Sequence, residues 1–138
     1  MPSTSETSDE TLLAAARSAR DCAYAPYSNV AVGAALLCED GTIVTGANVE
    51  NASYGLSICA ERTAVFTAVA AGRTHYRAIA VAGPPEATTS PCGACRQVLA
   101  EFGPTMRVVF TSRGAHEAFA LDTLLPATFE LRRTRRRS

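Results

Sequence analysis

Val30-Ala31-Val32-Gly33-Ala34-Ala35-Leu36-Leu37-Cys38-Glu39-Asp40-Gly41-Thr42-Ile43-Val44-Thr45-Gly46-Ala47-Asn48 is the stretch on which the fold turns. Its first part, Val30–Leu37, is apolar without alternation, which predicts a strand covered on both faces. Glu39-Asp40-Gly41 has hairpin-turn chemistry, and Thr42–Asn48 reads as the returning strand. A sheet covered on both faces needs a layer of structure on each side.

Helical patterns lie on either side of this hairpin. Asp9–Tyr24 places Leu12, Leu13, Ala16, Ala19 and Ala23 at helical spacing behind an acidic start and ahead of Pro26. Cys59–Ala71 is rich in alanine and ends at Gly72, while Cys92–Phe102 follows Pro91 and ends at Gly103. Arg77–Ala82 and Arg107–Ser112 read as strands, with Pro84–Ser90 a loop between two elements. The link Arg113–His116 is too short for a helical crossover, so a fifth strand near Ala118–Leu121 should run antiparallel to the fourth. A helical turn around Asp122–Leu125 ends at Pro126. The order predicts an α/β fold, a three-layer α-β-α sandwich around a five-stranded mixed sheet whose last two strands are antiparallel.

The chain has 138 residues and an apolar fraction of 47%, which fits a single domain with a real core. That domain is expected over residues 1–131, with residues 1–8 disordered and residues 132–138 a solvated basic tail. Five of the 13 arginines lie in Arg132–Arg137, leaving residues 1–131 with 8 basic and 13 acidic groups, a net charge of −5. Such a body argues against nucleic acid as a partner. No apolar run reaches the ~18 residues of a membrane span, and Met1–Glu10 is not a secretory leader. A cytoplasmic protein without membrane association is expected.

Five cysteines cannot all pair within the chain. Cys22 and Cys38 sit among apolar residues and read as small core hydrophobes. Cys59, Cys92 and Cys95 are different: they fall in Cys59-Ala60-Glu61-Arg62 and Pro91-Cys92-Gly93-Ala94-Cys95-Arg96, both at predicted helix starts. The positive end of a helix favours thiolate over thiol. Three thiolates suit one zinc ion and leave the fourth tetrahedral position open for water, as catalytic zinc sites require. Glu61, two residues beyond the first thiol, would then be a proton carrier beside a nucleophile. Three thiolates overcompensate the charge of zinc, and Arg62 and Arg96 are placed to hydrogen-bond the sulfurs. His75 and His116 lack ligand spacing and read as solvated.

These fragments, together with Asn48-Val49-Glu50-Asn51, Val32-Gly33-Ala34-Ala35-Leu36 and Leu124-Leu125-Pro126…Phe129, resemble the small homotetrameric cytidine deaminases over about residues 10–130. The resemblance implies one zinc ion per subunit on Cys59, Cys92 and Cys95, with Glu61 as proton shuttle. It implies that Asn48 and Glu50 hold the ribose 3′-hydroxyl and that the Ala60 backbone faces the pyrimidine O2. Ala52 and Tyr54 of a neighbouring subunit would lie near the 5′-hydroxyl, and Phe129 would reach into an adjacent pocket and stack on the base.

The implied activity is hydrolysis of cytidine and deoxycytidine to uridine and deoxyuridine with release of ammonia, a step of pyrimidine salvage. One position departs from the pattern. The family commonly has phenylalanine where this chain has Val30, removing an aromatic edge worth about 0.5–1.5 kcal/mol beyond its area. A looser pocket leaves deamination of another aminopyrimidine nucleoside, such as blasticidin S, as the alternative.

Overall fold

The computed structural model describes residues 7–131. Its elements are α1 (Asp9–Arg20), β1 (Gly33–Cys38), β2 (Ile43–Ala47), α2 (Ala60–Ala70), β3 (Tyr76–Ala82), α3 (Gly93–Phe102), β4 (Arg107–Ser112), β5 (Ala115–Ala120) and the single turn α4 (Leu121–Leu124). The strands form one sheet in the order β2-β1-β3-β4-β5. Only β3 and β4 are parallel; β1 pairs antiparallel with β2 and β3, and β4 with β5. The expected mixed sheet with antiparallel last strands is therefore present.

Period-2 alternation along β1 builds the layers. Ala34, Leu36 and Cys38 point into one core with Ala60, Ala64, Val65 and Ala68 of α2 and Leu99 of α3. Ala35 and Leu37 point the other way, onto Leu12, Leu13 and Ala16 of α1. Every residue of β1 is buried, as an uninterrupted apolar run requires.

Two glycines set the spacing of these layers. A Cβ at Gly33 would stand 2.0 Å from the Ala16 carbonyl oxygen of α1. A Cβ at Gly46 would stand 2.4 Å from the Ala64 nitrogen and 2.8 Å from the Ala60 oxygen of α2. Helix backbone thus rests directly on strand backbone on both faces. On α2 the approach is matched by Ala60, Ala64 and Ala68, a stripe of small residues at four-residue spacing, all fully buried.

Several boundaries differ from the sequence reading. Helix α1 ends at Arg20, not Tyr24, because the Asp21, Cys22 and Ala23 amides turn back to the Ser18, Ala19 and Arg20 carbonyls. Strand β1 begins at Gly33, not Val30. The preceding segment is paired instead by the Asn48 side chain, which accepts from the Val32 amide and donates to the Val30 carbonyl, each at 2.8 Å. Strand β5 starts at Ala115, not Ala118, because Arg113 (φ 49°) and Gly114 (φ 87°) form a two-residue hairpin in the left-handed region. Ser8 was expected to be disordered, but its side chain accepts from the Thr11 amide at 3.1 Å and caps α1. Residues 1–6 of that lead and the arginine tail 132–138 lie outside the described residues. Cys38 is buried as expected, whereas Cys22 is exposed and not a core residue.

Candidate metal centre and adjoining cavity

Cys59 and Cys92 are the N-cap residues of α2 and α3, both in extended backbone conformation, and Cys95 lies one turn into α3. Because α2 and α3 pack on the same face of the sheet, their starts converge. The three sulfurs lie within 4.8 Å of one another, and Cys59 Sγ is 4.0 Å from Cys92 Sγ. Tetrahedral zinc with ~2.3 Å Zn–S bonds needs sulfurs about 3.8 Å apart. The cluster can hold such an ion with little adjustment.

The local electrostatics favour thiolate at Cys59. Its thiol is pulled down to about 5, first by a hydrogen bond with Cys95 and further by the Arg62 guanidinium. Arg62 Nη2 donates to Cys59 Sγ at 3.3 Å, and being three residues on it shares that helix face. The Cys95 thiol is pushed up by the same bond to Cys59 and by burial. Arg62 thus reaches a sulfur, as its place in the sequence suggested.

Arg96 does not. Its Nε donates to the Pro91 carbonyl, Nη1 to the Leu124 carbonyl and Nη2 to Ser90 Oγ. The expected hydrogen bond to a sulfur is replaced by three bonds to the surrounding chain.

Glu61 is 5% exposed and lies in the first turn of α2. Burial, helped by the nearby Cys59 thiolate, raises its carboxyl to about 7. A carboxyl titrating near neutrality can both take and give a proton at physiological pH.

Glu61 opens onto a cavity of about 280 Å³ shared with Cys59, Ala60, Cys92, Asn48, Glu50 and Val32. Ser57, Ile58, Thr89 and Ser90 complete its wall. The sequence reading missed those four, although Ser57-Ile58 and Thr89-Ser90 directly flank the cysteine fragments. Asn48 and Glu50 line the cavity while bonding the neighbouring segment 27–32. Glu50 Oε1 accepts from the Tyr27 amide at 2.9 Å and the Ser28 amide at 3.1 Å, and Oε2 from the Ser28 hydroxyl. The Ser28 hydroxyl, followed by these amides, keeps the Glu50 carboxyl below its ordinary range.

Ala52, Tyr54 and Phe129 stand elsewhere, all exposed. Tyr54 packs edge-on to Tyr27 at 6.3 Å. Phe129 lines a separate surface hollow with Gln97, Ala100 and Pro104. Val30 is 44% exposed and does not line the cavity, although its carbonyl accepts from Asn48 Nδ2. The cavity of one chain thus collects part of the expected site and omits the rest.

A sulfur trio beside a buried acid, at the helix starts of an α/β sandwich, defines a metal-dependent hydrolase. Comparison with known proteins narrows that class. The family model described as the cytidine and deoxycytidylate deaminase zinc-binding region matches residues 6–112. A cytidine deaminase of Sporosarcina psychrophila is 50% identical over 122 residues, which span 87% of this chain and 90% of that protein. The crystal structure of a cytidine deaminase from Burkholderia pseudomallei superposes with a TM-score of 0.85 at 51% identity, covering 89% of this chain and all of that one. A cytidine deaminase from Mycobacterium tuberculosis gives a TM-score of 0.79 at 40% identity over 91% of this chain and all of that one. The chain belongs to the zinc-binding cytidine and deoxycytidylate deaminase family. Its cofactor is zinc, which the cysteine cluster fits.

Proposed function

We propose that this chain hydrolyses the 4-amino group of cytidine and deoxycytidine, giving uridine or deoxyuridine and ammonia. The observation that carries the reading is Glu61: a buried carboxyl, held near neutrality, inside the cavity that also contains Cys59 and Cys92. Zinc held by Cys59, Cys92 and Cys95 would supply a Lewis acid that makes water a usable nucleophile.

The remaining chemistry falls to the protein. Glu61 takes a proton from the attacking water and passes it to N3 of the ring, so that C4 becomes electrophilic. The water oxygen bonds to C4, and Glu61 takes the second proton from that oxygen and delivers it to the amino nitrogen. The C4–N4 bond breaks as the C4 carbonyl forms, releasing ammonia. Arg62 draws negative charge off Cys59 and so preserves the pull of the metal on its fourth ligand.

Asn48 and Glu50 line the same cavity as Cys59 and Glu61, which supports a role for their remaining hydrogen-bonding capacity in holding the ribose 3′-hydroxyl. Ala60 is at the cavity wall, available to the pyrimidine O2. Ala52, Tyr54 and Phe129, exposed and outside the cavity, would complete the site of a neighbouring subunit in a homotetramer. The compartment that suits this reading is the cytoplasm; among the described residues no helix is long and apolar enough to cross a membrane.

The test is ultraviolet absorbance with purified protein. Cytidine and deoxycytidine are converted by the zinc-loaded enzyme, and conversion stops after chelation and returns with zinc. Loss of metal without loss of turnover would overturn the reading. A kcat/KM for blasticidin S above that for cytidine would reassign the substrate.

A further inference from the structure

The turn that delivers Cys92 is anchored from one side by β4: the Thr89 amide donates to the Thr111 carbonyl at 2.9 Å. Two residues, Ser90 and Pro91, then bridge to Cys92, and Arg96 holds both. Its Nε donates to the Pro91 carbonyl at 2.7 Å and Nη2 to Ser90 Oγ at 2.8 Å. The third bond, Nη1 to the Leu124 carbonyl at 2.7 Å, runs to the end of α4. From there the chain leads to Phe129, whose carbonyl accepts from Gln97 Nε2 at 3.2 Å. Successive residues of α3 therefore hold the two ends of segment 124–129.

A guanidinium is a rigid plane with donors at fixed angles, so three simultaneous bonds fix three acceptors relative to one another. We propose that Arg96 is a positioning residue that locks the turn Ser90-Pro91-Cys92 to the C-terminal segment 124–129. One side chain thereby sets both the place of the Cys92 sulfur and the point from which Phe129 is projected. The proposal rests on the reading of Cys59, Cys92 and Cys95 as zinc ligands. It predicts a link between metal retention and the setting of the C-terminal segment, two properties that otherwise have no reason to change together.

The experiment compares zinc loss from holoenzyme to a colorimetric chelator, alongside KM for cytidine and thermal stability. R96Q should lose zinc about ten-fold faster, the scale typical of residues that orient metal ligands, and should also raise KM. Q97A should raise KM while keeping wild-type zinc retention, since Gln97 holds only the Phe129 end. Val108→Ala, a cavity at a fully buried position of β4, serves as the control for general loosening and should lower the melting temperature without faster zinc loss. R96Q that retains zinc like wild type, or that loses it no faster than Val108→Ala at equal thermal loss, overturns the proposal. Should R96Q fail to fold, R96K and S90A carry the test, each expected to lose zinc faster than wild type; wild-type rates in both overturn it. Wild-type protein that binds no zinc would instead refute the ligand assignment itself.

Discussion

Glu61 shows how much one position can be asked to do. Its burial raises the carboxyl to about 7, so near neutrality it is present in both forms, which a group that first accepts and later donates a proton needs. Glu61→Gln keeps the shape and removes the exchange of protons. In steady-state assays kcat should fall by about 10²–10⁴-fold, the usual worth of a placed acid–base group, with bound zinc unchanged by metal analysis. A variant with near-native kcat would remove Glu61 from the mechanism.

The two arginines show where residue-level reading holds and where it stops. Arg62 was legible because Cys59 stands three positions before it on the same helix, so spacing alone puts guanidinium beside sulfur. Arg96 directly follows Cys95, yet one of its acceptors is 28 positions away at Leu124. Nothing in the local sequence announces that carbonyl. The cysteine fragments were readable because their chemistry is encoded at short range, whereas the partners of Asn48, Glu50 and Arg96 depend on how loops return to the sheet.

At the scale of elements, the close contact between β2 and α2 at Gly46 places the helix that carries Cys59 and Glu61. Gly46→Ala would drive a methyl group into the Ala60–Ala64 backbone, and a helix backbone cannot rotate aside as a side chain can. Urea unfolding should show a loss of about 1–3 kcal/mol, typical of overpacking, and kcat/KM should fall as α2 is displaced. A stable, fully active variant would show that this contact does not position the site.

The ion pair between α1 and β4 makes a separate prediction. Arg107 donates Nε and Nη2 to the two Asp9 oxygens at 2.9 and 2.6 Å, and the first effect of that bonding is to hold the Asp9 carboxyl below its ordinary range. A lowered value means that the stabilisation is complete above the unfolded carboxyl's pKa. It is lost as pH falls through the folded value. Asp9→Asn should therefore cost about 0.5–1 kcal/mol at neutral pH, a deficit that closes in acid when unfolding is followed across pH. A constant deficit at every pH would assign the loss to packing instead.

Helix and strand types were legible from periodicity, and their ends were less so. The early start of β5 turns on Arg113-Gly114, a pair that carries weaker hairpin signal than Asn-Gly. Strand β1 was overextended for another reason. Val30–Val32 is as apolar as the strand itself, but its pairing groups are taken by the Asn48 side chain.

For the whole molecule the issue is whether one chain makes a complete site. Tyr54 is 77% exposed and Phe129 68%, and neither lines the cavity that holds Glu61 in its own chain. Co-expressing Glu61→Ala and Phe129→Ala chains tests the shared-site arrangement. The first is expected to be inactive and the second to bind nucleoside poorly. Mixed assemblies should regain a fraction of turnover with native KM, because some sites combine an intact acid from one subunit with an intact ring from another. Activity showing only the weak-binding KM would mean that each chain works alone.

Both helices bearing the sulfurs open on a cysteine whose side chain makes no capping hydrogen bond, where serine or aspartate would have secured the first turn. A cation clasping Cys59 and Cys92 would act as a rivet through two uncapped beginnings at once. Stripping it should therefore show up as heat lability and as quickened deuterium uptake at the Thr63 and Arg96 amides, which fasten each first turn to its cysteine carbonyl at 3.1 and 2.9 Å. In this chain the catalytic ion would also be a construction part.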